Sequence, residues 1–242
     1  MNSLDEITMN YELMYAKYGH SPEALCMPSD RRNIRYYDLL KNFGIGFERR
    51  MNGFSIIDFG CGFGDVNSFL SELGYNDYEY TGIDIVDSFL AEANNSYGNN
   101  RIRFLKRNFW NEDATSDLKA DIAISSQTLN NRYGDEDNNY TLLFKLMKTM
   151  YQRVKVGFSI NFFTDKVSFK KADTAYHNPA TVLDFAYGLS KCIILDNSTF
   201  PYECTLTLIK EDSCTKYKNV YDLFCKRNMT YFDRGIFVVK EK

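Results

Sequence analysis

Ile56-Ile57-Asp58-Phe59-Gly60-Cys61-Gly62-Phe63-Gly64-Asp65 is an apolar run that ends in an acid and three alternating glycines. The run predicts the first strand of an open α/β sheet. The glycines predict the loop leaving it, because glycine turns the backbone sharply and approaches a ligand where any Cβ would collide. A helix follows, since Val66, Phe69, Leu70 and Leu73 fall at i, i+3, i+4, i+7 and Gly74 supplies a stop.

A second acid arrives at a useful distance. Glu79 to Ile85 reads as the next strand, with Asp84 at its carboxyl end beside the glycine loop. In doubly wound sheets ligands sit outside the carboxyl ends of the strands, and an acid there accepts hydrogen bonds from ribose hydroxyls. The glycine spacing is G-x-G-x-G, with Asp65 where the last glycine of a dinucleotide fingerprint would stand. Asp58 would repel a pyrophosphate but could accept from an ammonium group. The pattern points to a nucleoside that carries an amino acid.

Asp58 to Gly64 resembles motif I of class I S-adenosylmethionine-dependent methyltransferases, and Asp84 resembles their ribose-binding acid. The resemblance spans roughly residues 51–210; a glycine turn of purely structural origin is the alternative, and Asp84 weighs against it. It implies a Rossmann-like, doubly wound α/β fold with a seven-stranded, mostly parallel sheet and an antiparallel last strand. It also implies S-adenosyl-L-methionine as cofactor, leaving as S-adenosyl-L-homocysteine, with contacts from Asp58, Gly60, Cys61, Gly62, Asp84, Ile85, Asn108, Phe109 and Ser126. Asn108 stands where the superfamily usually has an acid at the adenine, and a neutral acceptor is worth about 1 kcal/mol less there. Cys61 reads most simply as a small side chain that fits a tight turn.

The 242 residues allow one sizeable α/β domain with embellishments, and the net charge of −3 gives no basic field for a phosphate backbone, which disfavours nucleic acid as a partner. Six cysteines form no C-x-x-C pair, no metal site is indicated, and the amino terminus lacks a basic and apolar leader. A reduced, cytoplasmic chain with no membrane span is the expectation, as monomer or homodimer. Leu4, Ile7, Tyr11, Met14, Tyr15 and Tyr18 recur at helical spacing over about residues 4–18, and further helices are expected from Ser21-Pro22 and Ser29-Asp30. By analogy with methyltransferases, residues 1–50 form a helical lid, 51–210 the core and 211–242 an extension packed on the core, with a helix and a short strand at Ile236 to Val239.

Tyr11-Glu12, Gly19, Pro22 and Arg35-Tyr36 resemble a subfamily of stand-alone bacterial small-molecule methyltransferases, although Tyr18 replaces its histidine. The resemblance implies a substrate or carboxylate contact at Arg35; a solvated helix face is the alternative. Ser126-Gln127-Thr128-Leu129-Asn130-Asn131-Arg132 follows the fourth strand, Asp121 to Ser125, at the carboxyl edge where the transferred methyl belongs. It resembles the subfamily's Ser-Gly-x-Phe-Asn-x-Arg, keeping Ser126, Asn130 and Arg132, the last a second candidate for substrate contact. It lacks the prolines of enzymes that methylate base amino groups. Asn161 ends the fifth strand, and a long loop delivers Tyr176-His177 before a helix start at Asn178-Pro179.

Asn130, Asn161, Tyr176 and His177 are therefore the catalytic candidates. His177 is a general base by its ordinary pKa, or simply a loop histidine. The expected function is methylation, at oxygen, of a small polar acceptor, neutral or anionic, such as a sugar or a phosphate-bearing metabolite. The rivals are an RNA or protein methyltransferase and a non-catalytic S-adenosylmethionine-binding partner subunit.

Overall fold

The computed structural model describes residues 4–26, 31–45 and 53–210. Seven strands form one sheet: β1 (Phe54–Phe59), β2 (Tyr78–Asp84), β3 (Ile102–Lys106), β4 (Ala120–Ser125), β5 (Val154–Phe163), β6 (Cys192–Asp196) and β7 (Glu203–Ile209). Their order is β3-β2-β1-β4-β5-β7-β6. The first five run parallel, while β7 lies antiparallel between β5 and β6. The chain reverses direction in the sheet between β1 and β4, so the carboxyl ends of those neighbours open a crevice where a ligand can enter.

Both faces of the sheet are covered, which is why its central strands read as nearly continuous apolar runs. Alternation along β1 sends Phe54 and Ile56 into one core cluster and Ile57 and Phe59 into the other. Helix α2 (Arg32–Leu40) and helix α3 (Val66–Glu72) pack on the first face through Leu39, Leu40, Phe69 and Leu70. Helix α5 (Glu136–Arg153) and helix α6 (Pro179–Tyr187) cover the second through Leu143, Leu146, Met147 and Val182. Helix α4 (Asp87–Tyr97) follows β2.

The segment before the sheet is of two kinds. Helix α1 (Leu4–Tyr18) rests on α4, where Tyr11 and Tyr15 meet Phe89 with ring centroids 5.6 and 6.2 Å apart. Tyr15 Oη donates to Glu92 Oε2 at 3.1 Å, and Glu12 Oε1 accepts from the Ser88 amide at 3.3 Å. Helix α2, in contrast, is part of the core. Pro22–Leu25 is a single 3-10 turn rather than the expected helix: Ser21 makes no capping bond, and Cys26 leaves the turn in the left-handed region at φ 55°. Val86 stands in the cap position of α4. Asn178 caps α6, accepting from the Ala180 and Thr181 amides.

Ser29-Asp30 and the expected helix and strand of residues 211–242 lie outside the described residues. Cys192 is disulfide-bonded, so the expectation of an all-thiol chain fails there, whereas Cys26, Cys61 and Cys204 are free. No described helix is long and apolar enough to cross a membrane.

Candidate active site

The glycine turn after β1 is built as its sequence requires. Gly60 and Gly62 sit at φ 75° and 53°, where side chains are strained. A Cβ at Gly60 would collide with the Thr128 side chain, and one at Gly62 would press on Leu25. Asp84 clamps the turn from the next strand: one carboxylate oxygen accepts from the Gly62 amide at 2.9 Å, the other from the Ile85 and Val86 amides at 2.7 and 3.1 Å. Burial raises the Asp84 pKa, and the three amides pull against it. Asp58 lies buried under the turn, where Tyr80 Oη donates to its Oδ2 at 2.8 Å and its Oδ1 has no partner. Burial pushes its pKa up to about 7, against the Tyr80 bond.

A pocket opens beside this turn at the carboxyl ends of the strands, with about 520 Å³ of empty space when the open solvent at its mouth is included. Gly60, Gly62 and Asp84 line its polar end, while Ile85, Val86, Phe89 and Phe109 give it apolar walls. Ser126, Gln127, Thr128, Asn131 and Tyr133 form the side beyond β4, and Ile7, Tyr11 and Leu25 reach in from the amino-terminal segment. Tyr11 Oη accepts from Asn131 Nδ2 at 2.9 Å, tying α1 to the loop after β4. Burial lifts the Tyr11 phenol to about 12, so it stays neutral at physiological pH.

This arrangement suits a cationic nucleoside. One buried acid, Asp84, lines the polar end, and a second, Asp58, lies beneath the turn with an oxygen still unpaired, so a pyrophosphate there would meet repulsion. Asp84 offers an acceptor for a ribose diol, and Phe109 and Ile85 offer an apolar slot for a base.

The structure brings Gly60, Gly62, Asp84, Ile85, Phe109 and Ser126 together in the pocket lining. Cys61 packs beneath the turn in the core, and burial holds its thiol well above the ordinary pKa. Asn108 is exposed, and its Oδ1 accepts from the Trp110 amide at 3.1 Å in a local turn. Asn130 donates through Nδ2 to Gln127 Oε1. Asn161 and Arg35 meet at Glu203: Asn161 Nδ2 donates to Oε1 at 2.9 Å, and Arg35 Nε reaches both oxygens at 3.1 and 3.0 Å.

Arg132 is exposed, holding the backbone carbonyls of Gly134 and Ala172. Tyr176 stacks on Phe163 at 6.0 Å, and its Oη accepts from the Lys171 amide. His177 is buried edge-on to Tyr140 and Phe162 and outside the pocket lining; neither ring nitrogen has a hydrogen-bond partner. Burial pushes its pKa down to about 4, the Leu129 backbone opposing. Such a ring is neutral at physiological pH, and it packs among aromatics rather than facing solvent.

Sequence reasoning passed over Ile7, Leu25 and Phe89 in the lining, and Glu203 behind it. The helical periodicity of α1 marks which residues face the protein, but not that what they face includes a pocket. Glu203 carries a signal only in retrospect, as an acid at the mouth of an otherwise apolar strand.

Residues 56–152 match the family described as "Methyltransferase domain". No curated protein matches the chain. Among solved structures, an O-methyltransferase family protein from Burkholderia thailandensis superposes with a TM-score of 0.55 at 12% identity, over 81% of this chain and 62% of that one. A SAM dependent methyltransferase from Aquifex aeolicus gives 0.53 at 15%, over 75% and 93%. A protein from Bordetella parapertussis described as a "possible exported protein" gives 0.58 at 15%, over 86% and 83%. At these identities the likeness is one of fold, and the chain spans less than two thirds of the Burkholderia protein. The matched segment, with the sheet order and glycine turn around it, is a methyltransferase domain of the class I S-adenosylmethionine-dependent type. S-adenosylmethionine is the cofactor that this class uses.

Proposed function

We propose that the protein transfers the methyl group of S-adenosylmethionine to an oxygen of a small polar acceptor. The observation that carries this reading is the cover over the pocket. Ile7, Tyr11 and Leu25 close it from the amino-terminal side, and the Tyr11–Asn131 bond ties that cover to the loop after β4. A pocket covered on that side favours a metabolite over a macromolecule.

When bound, the sulfonium supplies a methyl already activated for transfer. The chain's part is to hold and to exclude. Asp84 would accept from the ribose hydroxyls, the Gly60–Gly62 backbone would lie along the amino-acid end, and Phe109 with Ile85 would sandwich the base. Asp58, whose Oδ1 lacks a partner, would balance the ligand's positive charge from below. The Ser126–Thr128 segment would face the acceptor.

Among the described residues of the lining no strong base stands free: burial raises both phenols, Tyr11 to about 12 and Tyr133 in the same direction, and the Asp84 carboxylate is engaged by three backbone amides. Transfer would then rest on in-line positioning and exclusion of water, and the acceptor proton would leave to solvent. His177 has no part in this reading, being enclosed among aromatic rings.

The test is incubation with methyl-labelled S-adenosylmethionine and a crude cell extract, followed by filtration through a small-pore membrane. Label in the filtrate is the expected result. Label retained with macromolecules would replace the acceptor class, and label in neither fraction would leave a binding protein without turnover.

A further inference from the structure

Gln127 lines the pocket with φ at 62°, in the left-handed region that a side chain rarely adopts. Something must hold it there. Its amide donates to Asn161 Oδ1 at 2.6 Å, and Asn161 Nδ2 donates in turn to Glu203 Oε1 at 2.9 Å. Both oxygens of Glu203 receive Arg35 Nε, and the Arg35 guanidinium lies over the Phe200 ring at 4.9 Å. Asn161, Glu203 and Arg35 are 1%, 3% and 3% exposed. The series runs from α2 through the first residue of β7 and the end of β5 to the pocket wall.

The orientation of Asn161 is determined by its partners. A flipped amide would set its NH₂ against the Gln127 N–H and its oxygen against a carboxylate. The charge on Glu203 is likewise needed, since a buried guanidinium without a carboxylate is strongly unfavourable. Each group therefore constrains the next. Asn130 adds a bond from within the same loop, through Nδ2 to Gln127 Oε1.

We propose that Arg35, Glu203 and Asn161 are positioning residues that hold the Gln127 backbone left-handed and so set the pocket wall from Ser126 to Thr128. This rests on the methyltransferase reading for its functional meaning, though not for its geometry. None of the three has to touch the ligand. The role also makes α2 and the last strand to join the sheet determinants of pocket shape.

The experiment compares Asn161→Ala, Gln127→Gly and the double variant in the full chain, with Glu203→Gln as an independent break one link further back. Two measurements are made: the Kd for S-adenosylhomocysteine by calorimetry, and backbone amide exchange over residues 126–130 in the ligand-free protein. Asn161→Ala and Glu203→Gln are expected to speed exchange there at least 10-fold, and Asn161→Ala to weaken binding about 10-fold. Glycine adopts a positive φ unaided. In the Gln127→Gly background, then, Asn161→Ala should change Kd by less than 2-fold.

Unchanged exchange at 126–130, or the same loss of affinity with glycine in place, would overturn the proposal. A wild-type chain that binds no S-adenosylhomocysteine would defeat the methyltransferase reading instead. The exchange arm would then decide the positioning role alone, standing if exchange rises in either variant that folds and failing if it does not.

Discussion

Asp84 serves the pocket twice over. Its carboxylate fastens the glycine turn to β2 through three backbone amides, and the same group presents an acceptor to the ligand side. Removing it takes away a charge-assisted acceptor and loosens the turn, so Asp84→Ala should weaken S-adenosylhomocysteine binding by about 1.5–3 kcal/mol. Calorimetry reads this directly, and an unchanged affinity would contradict the assignment. Asp84 and the glycines were legible because their chemistry is local, a strand end and a turn with a fixed spacing. Asn161 and Arg35 also drew attention in the sequence, but their partner did not. Glu203 lies 42 and 168 residues away from them, and nothing in a linear pattern ties residues so far apart. The same blindness placed His177 on a loop and left open that the loop would bury it.

Helix α1 illustrates the difference between an element and its address. Its periodicity gave Leu4–Tyr18 closely, since an apolar stripe at helical spacing is a property of the segment itself. Where the stripe lands depends on α4 and the glycine turn. Phe89 is the centre of that contact, with Phe63 4.6 Å away and both Tyr11 and Tyr15 against it. These residues belong to a cluster separate from the two that cover the sheet. Phe89→Ala should therefore release α1 as a local unit. Amides of α1 are expected to exchange at least 10-fold faster, while those of β1, β4 and β5 keep their protection. Exchange that rises everywhere together would mean that α1 is not separable from the core. The strands were the most legible elements of all, because a sheet buried on both faces writes itself as apolar runs; the single 3-10 turn at Pro22–Leu25 was not, since its start resembles that of a longer helix.

Across the whole molecule, two buried groups give stability opposite dependences on pH. His177 has its pKa held near 4 against an ordinary 6.5, so its contribution is complete above pH 6.5 and is lost as pH falls through 4. Asp58 is raised to about 7 from an ordinary 3.8, so its contribution is complete below pH 3.8 and is lost as pH rises through 7. Between pH 4 and 6.5 the two slopes oppose each other. Replacing His177 by phenylalanine, which suits its aromatic surroundings, removes one of them. Denaturant unfolding of His177→Phe should gain about 3 kcal/mol relative to wild type between pH 7 and pH 4. Parallel curves for the two proteins would show that the ring titrates normally in the fold. The strand order carries a consequence of another kind, for a chain that emerges from the ribosome one end first. β6 has no neighbour until β7 arrives, because β7 separates it from β5. Until then β5 presents an unpaired edge of ten residues, mostly apolar, to the crowded space around a nascent chain. Glu203 opens that late strand, so the backbone bond that sets Gln127 lacks its backing until translation is past residue 203. A polypeptide stalled before that point would already contain every glycine and acid of the turn after β1, yet have the far wall of its pocket unsupported.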